Sequence, residues 1–435
     1  MLGGYAVADA WDVAPGVLTV APLATPAAPY PTPSGLAPAR VEVSWVQAAP
    51  SSSDVEGAMN RFVKDSRFSG QASIVVADPL TGQTIAQYRP TAATTPASNM
   101  KLETALAALE ILGPDRTFPT SASLAGDTLY LVGGGDVNLA DGKGDPTATE
   151  GRASLLELAK ATAAELTKSG AKEVKFAVDS TLFAGPLFHQ DIGADEGPLY
   201  IMESRPLAVN EGLKNGKHAP DPDLEAGRAF AQALADAGVK VGEPTRAAAP
   251  ADARKLAEVR SAPLRDLVET MLKHSDNTIA ETLGRLIAIE KGKPATFAGA
   301  GEAVKEYLVG AGFDVSGAVF SSASGLSTTD RLTARLQSEI MLKAWEDPKL
   351  SGIGPGLPVS ALDGTLARRM IDTPLAGVVR AKTGTLVEAN SLSGYLQTAK
   401  GQPLVFSILI DHIEEGKSPG MRAVIDSFLA DLAAL

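Results

Sequence analysis

The stretch "AGVVRAKTGTLVEANSLSGYLQTAKGQPLVFSILIDH", residues 376–412, contains three short runs rich in apolar and β-branched residues. "AGVVRAKTGTLV", "NSLSGYLQTA" and "PLVFSILIDH" are separated by turn-forming residues, so the pattern predicts three consecutive antiparallel strands. "PGMRAVIDSFLADLAA", residues 419–434, reads as a closing helix. A matching signal lies near the other end of the chain, where "GQASIVVADPLTGQTIAQYRP" alternates apolar residues on both sides of "DPLTG". Strands at both ends with helical texture between them predict one antiparallel sheet assembled from both halves of the chain, an α+β fold.

Working inward, "EGAMNRFVKDSRF" suits a first helix, so folding is expected to begin near Val55. "ASNMKLETALAALEILGP", residues 97–114, predicts a helix from about Ser98 that stops at Gly113-Pro114. From about residue 121 the texture changes. "DTLYLVGGGDVNLA" is a strand entering a glycine-rich turn, "ASLLELAKATAAELTKSG" a helix closed by Gly170, and "AKEVKFAVDS" a strand. With a further helix near 222–238, residues 121–261 read as an inserted α/β domain. Residues 55–120 and 262–435 then form the host domain, in which "APLRDLVETMLKHSDNTIAETLGRLIAIE" restores helical texture.

The totals agree with two domains and a tail. The chain has 435 residues, 45% of them hydrophobic, enough for a substantial core. A net charge of −12 excludes a generalised nucleic-acid binder, because little would neutralise phosphates. With no cysteine, disulfides, thiolate metal sites and cysteine nucleophiles are excluded. No run approaches the roughly 20 apolar residues that cross a bilayer. "MLGGYAVADAWDVAPGVLTV" has no Lys or Arg and is not a complete signal peptide, but it reads like the trailing edge of a hydrophobic segment. We therefore expect a removed signal or membrane anchor upstream. Residues 1–54, rich in Pro and Ala, would be a membrane-proximal or wall spacer.

The helix at 97–114 raises the chemical question. Residues i and i+3 share a helical face, so Ser98 and Lys101 can touch. A serine hydroxyl needs a neighbour to take its proton. An unperturbed lysine, with a pKa near ~10.4, is neutral in roughly one molecule in a few thousand at pH 7. Burial and a second cation would both lower that value. The pair alone is weak, because Ser169 and Lys172 repeat the spacing where Gly170 ends a helix.

Two further motifs follow in order. "HSDN" supplies Ser275 and Asn277, the chain's single Ser-x-Asn, and "KTGT" supplies Lys382, Thr383, Gly384 and Thr385, its single Lys-Thr-Gly. Each has a plain alternative, as a helix-to-helix cap or an exposed strand lysine. Together they close a chemical scheme. Lys382 is the second cation and suits a substrate carboxylate, Ser275 relays a proton to the leaving amine, and Asn277 holds a substrate amide. Gly384 lets a substrate strand approach the sheet edge. The backbone N–H groups of Ser98 and Thr385 form an oxyanion hole.

The order Ser-x-x-Lys, Ser-Asp-Asn, Lys-Thr-Gly resembles that of the penicillin-recognising serine enzymes. More narrowly, the chain resembles the D-alanyl-D-alanine carboxypeptidase/endopeptidase family, the class C low-molecular-mass penicillin-binding proteins. The likeness covers about Val55 to Leu435 and includes "LYLVGGGDVNLA", "ALDGTLARRM" and "RAKTGTLVEANSLSGYL", with the wide gap between Lys101 and Ser275 that an inserted domain produces.

The resemblance implies a β-lactamase/transpeptidase-like antiparallel sheet flanked by helices, with the active site between the sheet edge and an all-helical region. It implies an acyl-enzyme on Ser98 formed from peptidoglycan stem peptides ending in two D-alanines, with Lys101, Ser275, Asn277 and Lys382 catalytic. Thr383, Gly384 and Thr385 would bind substrate. Cross-linked peptides would be cut likewise, β-lactams would acylate Ser98 and stay, and no cofactor or metal is called for. The setting is extracytoplasmic. One departure stands out: Ser322-Ala323-Ser324-Gly325-Leu326-Ser327 replaces the usual Asp-Gly-Ser-Gly-Leu-Ser.

Two rivals remain at this stage. A β-lactamase is disfavoured because class C enzymes use Tyr-x-Asn where this chain has Ser275-Asp276-Asn277, and class A enzymes deacylate from a short loop where this chain has a domain. A catalytically idle wall-binding protein of the same fold is motivated by Ser322 and Ala323. Other chemistries fit less well. The four histidines, His189, His218, His274 and His412, show no metal-ligand spacing. "GGGD" at 133–136 lacks the lysine of a phosphate loop and reads as a turn.

Overall fold

The first strand pair of the chain is preceded by a helix that starts earlier than expected. Helix α1 (Ser52–Val63) is capped by Ser51, whose Oγ accepts from the Asp54 amide at 3.2 Å, and this side-chain bond fixes the start. The structure, a computed structural model, describes residues 49–435. Residues 1–48 of the expected spacer, with the apolar opening segment, lie outside the described residues.

After α1 come β1 (Gln71–Ala77), β2 (Thr84–Tyr88) and α2 (Lys101–Ile111). The next elements are β3 (Pro119–Ala125), β4 (Thr128–Gly133), β5 (Asp136–Leu139), α3 (Leu155–Lys168), β6 (Glu173–Asp179), α4 (Gly193–Tyr200), β7 (Leu207–Val209), α5 (Pro222–Asp236) and β8 (Arg254–Arg260). Helices α6 (Leu264–His274), α7 (Asn277–Glu290), α8 (Phe297–Gly310) and α9 (Ala334–Glu346) follow. The chain ends with β9 (Val379–Leu386), β10 (Ala389–Gln397), β11 (Pro403–Asp411) and α10 (Ser418–Ala433).

The two ends of the chain build one five-stranded antiparallel sheet in the order β9-β10-β11-β1-β2. Strand β11 explains its position at the centre. All nine of its residues are buried, as a near-continuous apolar run requires when both sheet faces are covered. Val405 and Leu409 point to one face and join Leu102, Leu106 and Leu109 of α2 with the helices α6 to α9. Phe406, Ile408 and Ile410 point to the other, where Phe62 of α1 and Phe428 of α10 meet at 5.5 Å. Strand β9 is the edge. Its first part is bridged by the loop at Val359, while Thr383 to Leu386 continue beyond that bridge.

A second, mixed sheet is built from the middle of the chain. Strands β8, β3, β4 and β6 are neighbours, with β4–β6 parallel and the others antiparallel, and the short strands 240–241 and 245–246 extend it beside β6. The strands that enter and leave this region, β3 and β8, pair with each other, Pro119 opposite Arg260. Its own core, with Leu129, Leu131, Phe176 and Phe230, packs α3 and α5 on the sheet. Among the described residues, no helix is long and apolar enough to cross a membrane.

Candidate active site

Ser98 does not sit in the α-helix proper. It occupies a 3₁₀ turn, Ala97–Met100, that runs into α2. The turn starts at Ala97 with φ of 46°, a left-handed residue held where Gly325 approaches. A Cβ on Gly325 would lie 1.8 Å from the Ala97 carbonyl oxygen, and Gly325 itself has φ of 79°. The two loops interlock only without that side chain. Three residues per turn stack positions i and i+3 directly, which brings Lys101 Nζ to 3.0 Å from Ser98 Oγ.

Lys101 is fully buried and Ser98 half-buried. The ammonium donates at 2.7 Å to Asn277 Oδ1 and at 2.7 Å to the Ser324 carbonyl. Burial pulls the Lys101 pKa down to about 7, against the opposing charges of Asp276, Glu281 and Asp330. Of the two causes expected, burial and a second cation, burial is the principal one for Lys101. Lys382 is fully buried too, and burial together with the Lys101 charge holds it well below the usual lysine range.

Lys382 Nζ donates to Ser275 Oγ at 2.8 Å and to the Thr383 carbonyl at 2.7 Å. Ser275 is the left-handed residue, φ of 60°, that ends α6, and Asp276 caps α7 by accepting from the Ile279 amide at 2.8 Å. The Ser-Asp-Asn turn thus lies between two helices, so that one of its ends meets each lysine. Asn277 is engaged on both sides, since its Nδ2 also donates to the Tyr200 carbonyl at 2.9 Å. Ser98, Lys101, Ser275, Asn277 and Lys382, from three separated segments, share one place.

Gly384 faces a different neighbour from the one expected. A Cβ there would meet Ser391 Oγ at 2.1 Å and the Pro96 carbonyl at 2.7 Å. Its bareness therefore lets β9 lie against the chain entering the Ser98 turn, where Ser391 Oγ donates to Pro96 at 2.6 Å. Thr383 shares a 2.7 Å hydroxyl contact with Thr365, and the exposed Thr385 hydroxyl accepts from Arg422 at 3.5 Å. Sequence reasoning passed over both partners, although Thr365 lies within "ALDGTLARRM".

It also passed over the acids beneath the site. Glu281 Oε1 accepts from the amides of Ala323 and Ser324 at 3.0 and 2.9 Å and from Ser324 Oγ at 2.7 Å. That carboxylate fixes the carbonyl to which Lys101 donates. Beside it, Ser322 Oγ donates to Asp330 Oδ2 at 2.6 Å and accepts from the Gly325 amide at 2.9 Å. A carboxylate thus serves this loop from position 330, eight residues beyond the altered one. Burial pushes Asp330 up to about 7. His274 is exposed, and Ser169 caps α3 by bonding back to Leu166 at 2.8 Å. Among the described residues, no group of three His, Cys, Asp or Glu side chains is arranged to hold a metal ion.

Comparison with known proteins gives the family and the fold. The chain matches the D-Ala-D-Ala carboxypeptidase 3 (S13) family over residues 55–220 and 211–432. A carboxypeptidase of Mycobacterium tuberculosis is 33% identical over 422 residues, 93% of this chain and 89% of the relative. A D-alanyl-D-alanine carboxypeptidase of Actinomadura sp. strain R39 is 29% identical, over 92% of this chain and 87% of that protein. Penicillin binding protein 4 of Haemophilus influenzae superposes with a TM-score of 0.68 at 21% identity, covering 87% of this chain and 98% of that one, which shows a shared fold. Three motifs in mutual contact and a match across almost all of the described residues lead to one conclusion: this protein belongs to the D-Ala-D-Ala carboxypeptidase 3 (S13) family.

Proposed function

We propose that this chain is a serine-type D-alanyl-D-alanine carboxypeptidase that acts outside the cytoplasm on peptidoglycan stem peptides through an acyl-enzyme on Ser98. The observation that carries the reading is a fully buried lysine, lowered to about 7, with its amine 3.0 Å from a half-buried serine hydroxyl. Neutral Lys101 takes the Ser98 proton as Oγ attacks the carbonyl between the two D-alanines. Ser275, tied to Lys382, passes a proton to the departing D-alanine, and water then hydrolyses the ester.

The edge of β9 beyond Thr383 receives the peptide as an added strand. The hydroxyls of Thr383 and Thr385, backed by Thr365 and Arg422, meet its terminal carboxylate. The mixed sheet and its separate core support reading residues 121–261 as an inserted domain within a host formed by 55–120 and 262–435, with the sheet itself reaching from Pro119 to Arg260. The test is labelling by a fluorescent penicillin with D-alanine release from a pentapeptide. Ser98→Ala is expected to abolish both; a label that persists in S98A would place the nucleophile elsewhere.

A further inference from the structure

The glycine-rich stretch at 129–140 takes no part in the acyl-transfer scheme, yet it leads directly to the catalytic turn. It ends in β5, whose Asp136 and Asn138 are both buried. Asn138 Nδ2 donates to Glu211 Oε1 at 3.3 Å. Glu211 is 5% exposed and sits in left-handed backbone, φ of 52°, directly after Asn210 at 44°. Two consecutive non-glycine residues in that region are held there by their surroundings. The Glu211 carbonyl accepts from His218 Nδ1 at 2.8 Å, and its carboxyl faces Asp276 and the Thr278 hydroxyl.

Two neighbouring contacts repeat the pattern. The Tyr200 carbonyl accepts from Asn277 Nδ2 at 2.9 Å, and the Met202 amide donates to Thr278 Oγ1 at 3.1 Å. Asn277 and Thr278 are therefore both engaged by the segment 200–211, and Glu211 of that segment faces Asp276.

We propose that Glu211 is a positioning residue that anchors Asp276, so that Ser275 on one side and Asn277 on the other stay directed at Lys382 and Lys101. The proposal rests on the reading of the site given under Proposed function.

The electrostatics fit this role. Asp276 raises the proton affinity of Lys101 through its charge. Burial and the neighbouring Asp276 push Glu211 well above the ordinary carboxyl range, which favours the neutral carboxyl, the form that can donate a hydrogen bond to Asp276. It steadies Asp276 without adding negative charge. The groups facing Glu211 are Asp276 and Thr278 at the start of α7 and Asn138 on β5, with Asp136 two residues away and His218 on its own carbonyl. An ionised carboxylate there would tighten the Lys101 proton and weaken the base.

The test compares Glu211→Gln with Glu211→Ala in the full chain. Acylation by a fluorescent penicillin is measured together with kcat and KM for a pentapeptide, each across pH. The amide of E211Q still donates to Asp276, so it is expected to keep the wild-type rate and pH profile. E211A loses the anchor and is expected to lower kcat about ten- to a hundredfold, with KM little changed. Glu211→Met, which keeps volume without a donor, replaces E211A should that variant not fold, and must show the same loss. Wild-type kcat in E211A or E211M overturns the proposal, and so does an equal loss in E211Q, which would mark simple packing. A penicillin label that persists in S98A instead overturns the underlying reading of the site, whatever Glu211 does.

Discussion

Lys101 shows how one residue's environment sets its chemistry. Its amine has given up hydration that stabilises the charged form, and three carboxylates return only part of that loss, leaving a pKa of about 7. With neutral Lys101 as the proposed base, acylation should rise with pH through about 7 and then level off. Stopped-flow acylation across pH 5.5 to about 9 checks this. Lys101→Met should lower the rate by roughly 10²–10⁴. An acid limb centred well away from 7 would count against Lys101 as the base.

Ser322 supplies a second test at the residue scale. The family's usual aspartate is absent there, but Asp330 already fills the same loop with a buried carboxyl bonded to Ser322 and two amides. Restoring the family's residue should therefore harm this protein. Ser322→Asp places a second buried carboxyl against the first, and the expected destabilisation is roughly 3 kcal/mol by urea unfolding. Combining it with Asp330→Asn should return most of that loss. Additive losses in the double variant would show that the two positions do not share one carboxylate site.

At the scale of elements, the site depends on three close approaches: the 3₁₀ turn on the Gly325 loop, β9 on the chain before Ser98, and segment 200–211 on the first turn of α7. Gly384→Ala tests the second. Its methyl group would lie 2.1 Å from Ser391 Oγ and 2.7 Å from the Pro96 carbonyl, so β9 must move away from the Ser98 turn. The expected result is a destabilisation of about 1–3 kcal/mol and a larger drop in penicillin acylation than in stability. Wild-type acylation in G384A would mean that the strand and the turn adjust independently.

At the scale of the whole molecule, buried acids make stability depend on pH. Glu103, within α2 and held by Gln337 at 2.6 Å, is pushed by burial from 4.5 up to about 8. Its folded form binds more protons than the unfolded chain between those values, so its contribution to stability falls as pH rises from 4.5 to about 8. Glu103→Gln removes the titration. Urea midpoints should fall less steeply over that window in E103Q than in the wild type, and an unchanged slope would exclude Glu103 as a source.

The fold and the pairing of motifs were legible in the sequence because they follow from local periodicity and spacing. The apolar run of β11 requires two covered faces, and Ser98 lies one turn from Lys101 whatever surrounds them. The limits of the reading were also local. The helix start moved to Ser52 because a serine cap outweighed the apolar pattern, and Gly384 faced inward because strand polarity alone does not say which neighbour approaches. Glu281, Asp330, Glu211, Thr365 and Arg422 left no motif, since each acts through partners brought near only by folding. The sequence determined which chemical groups this protein carries and in what order its elements run. The tertiary structure alone decided which of those groups lose their water, and loss of water is what brings the Lys101 pKa down to about 7.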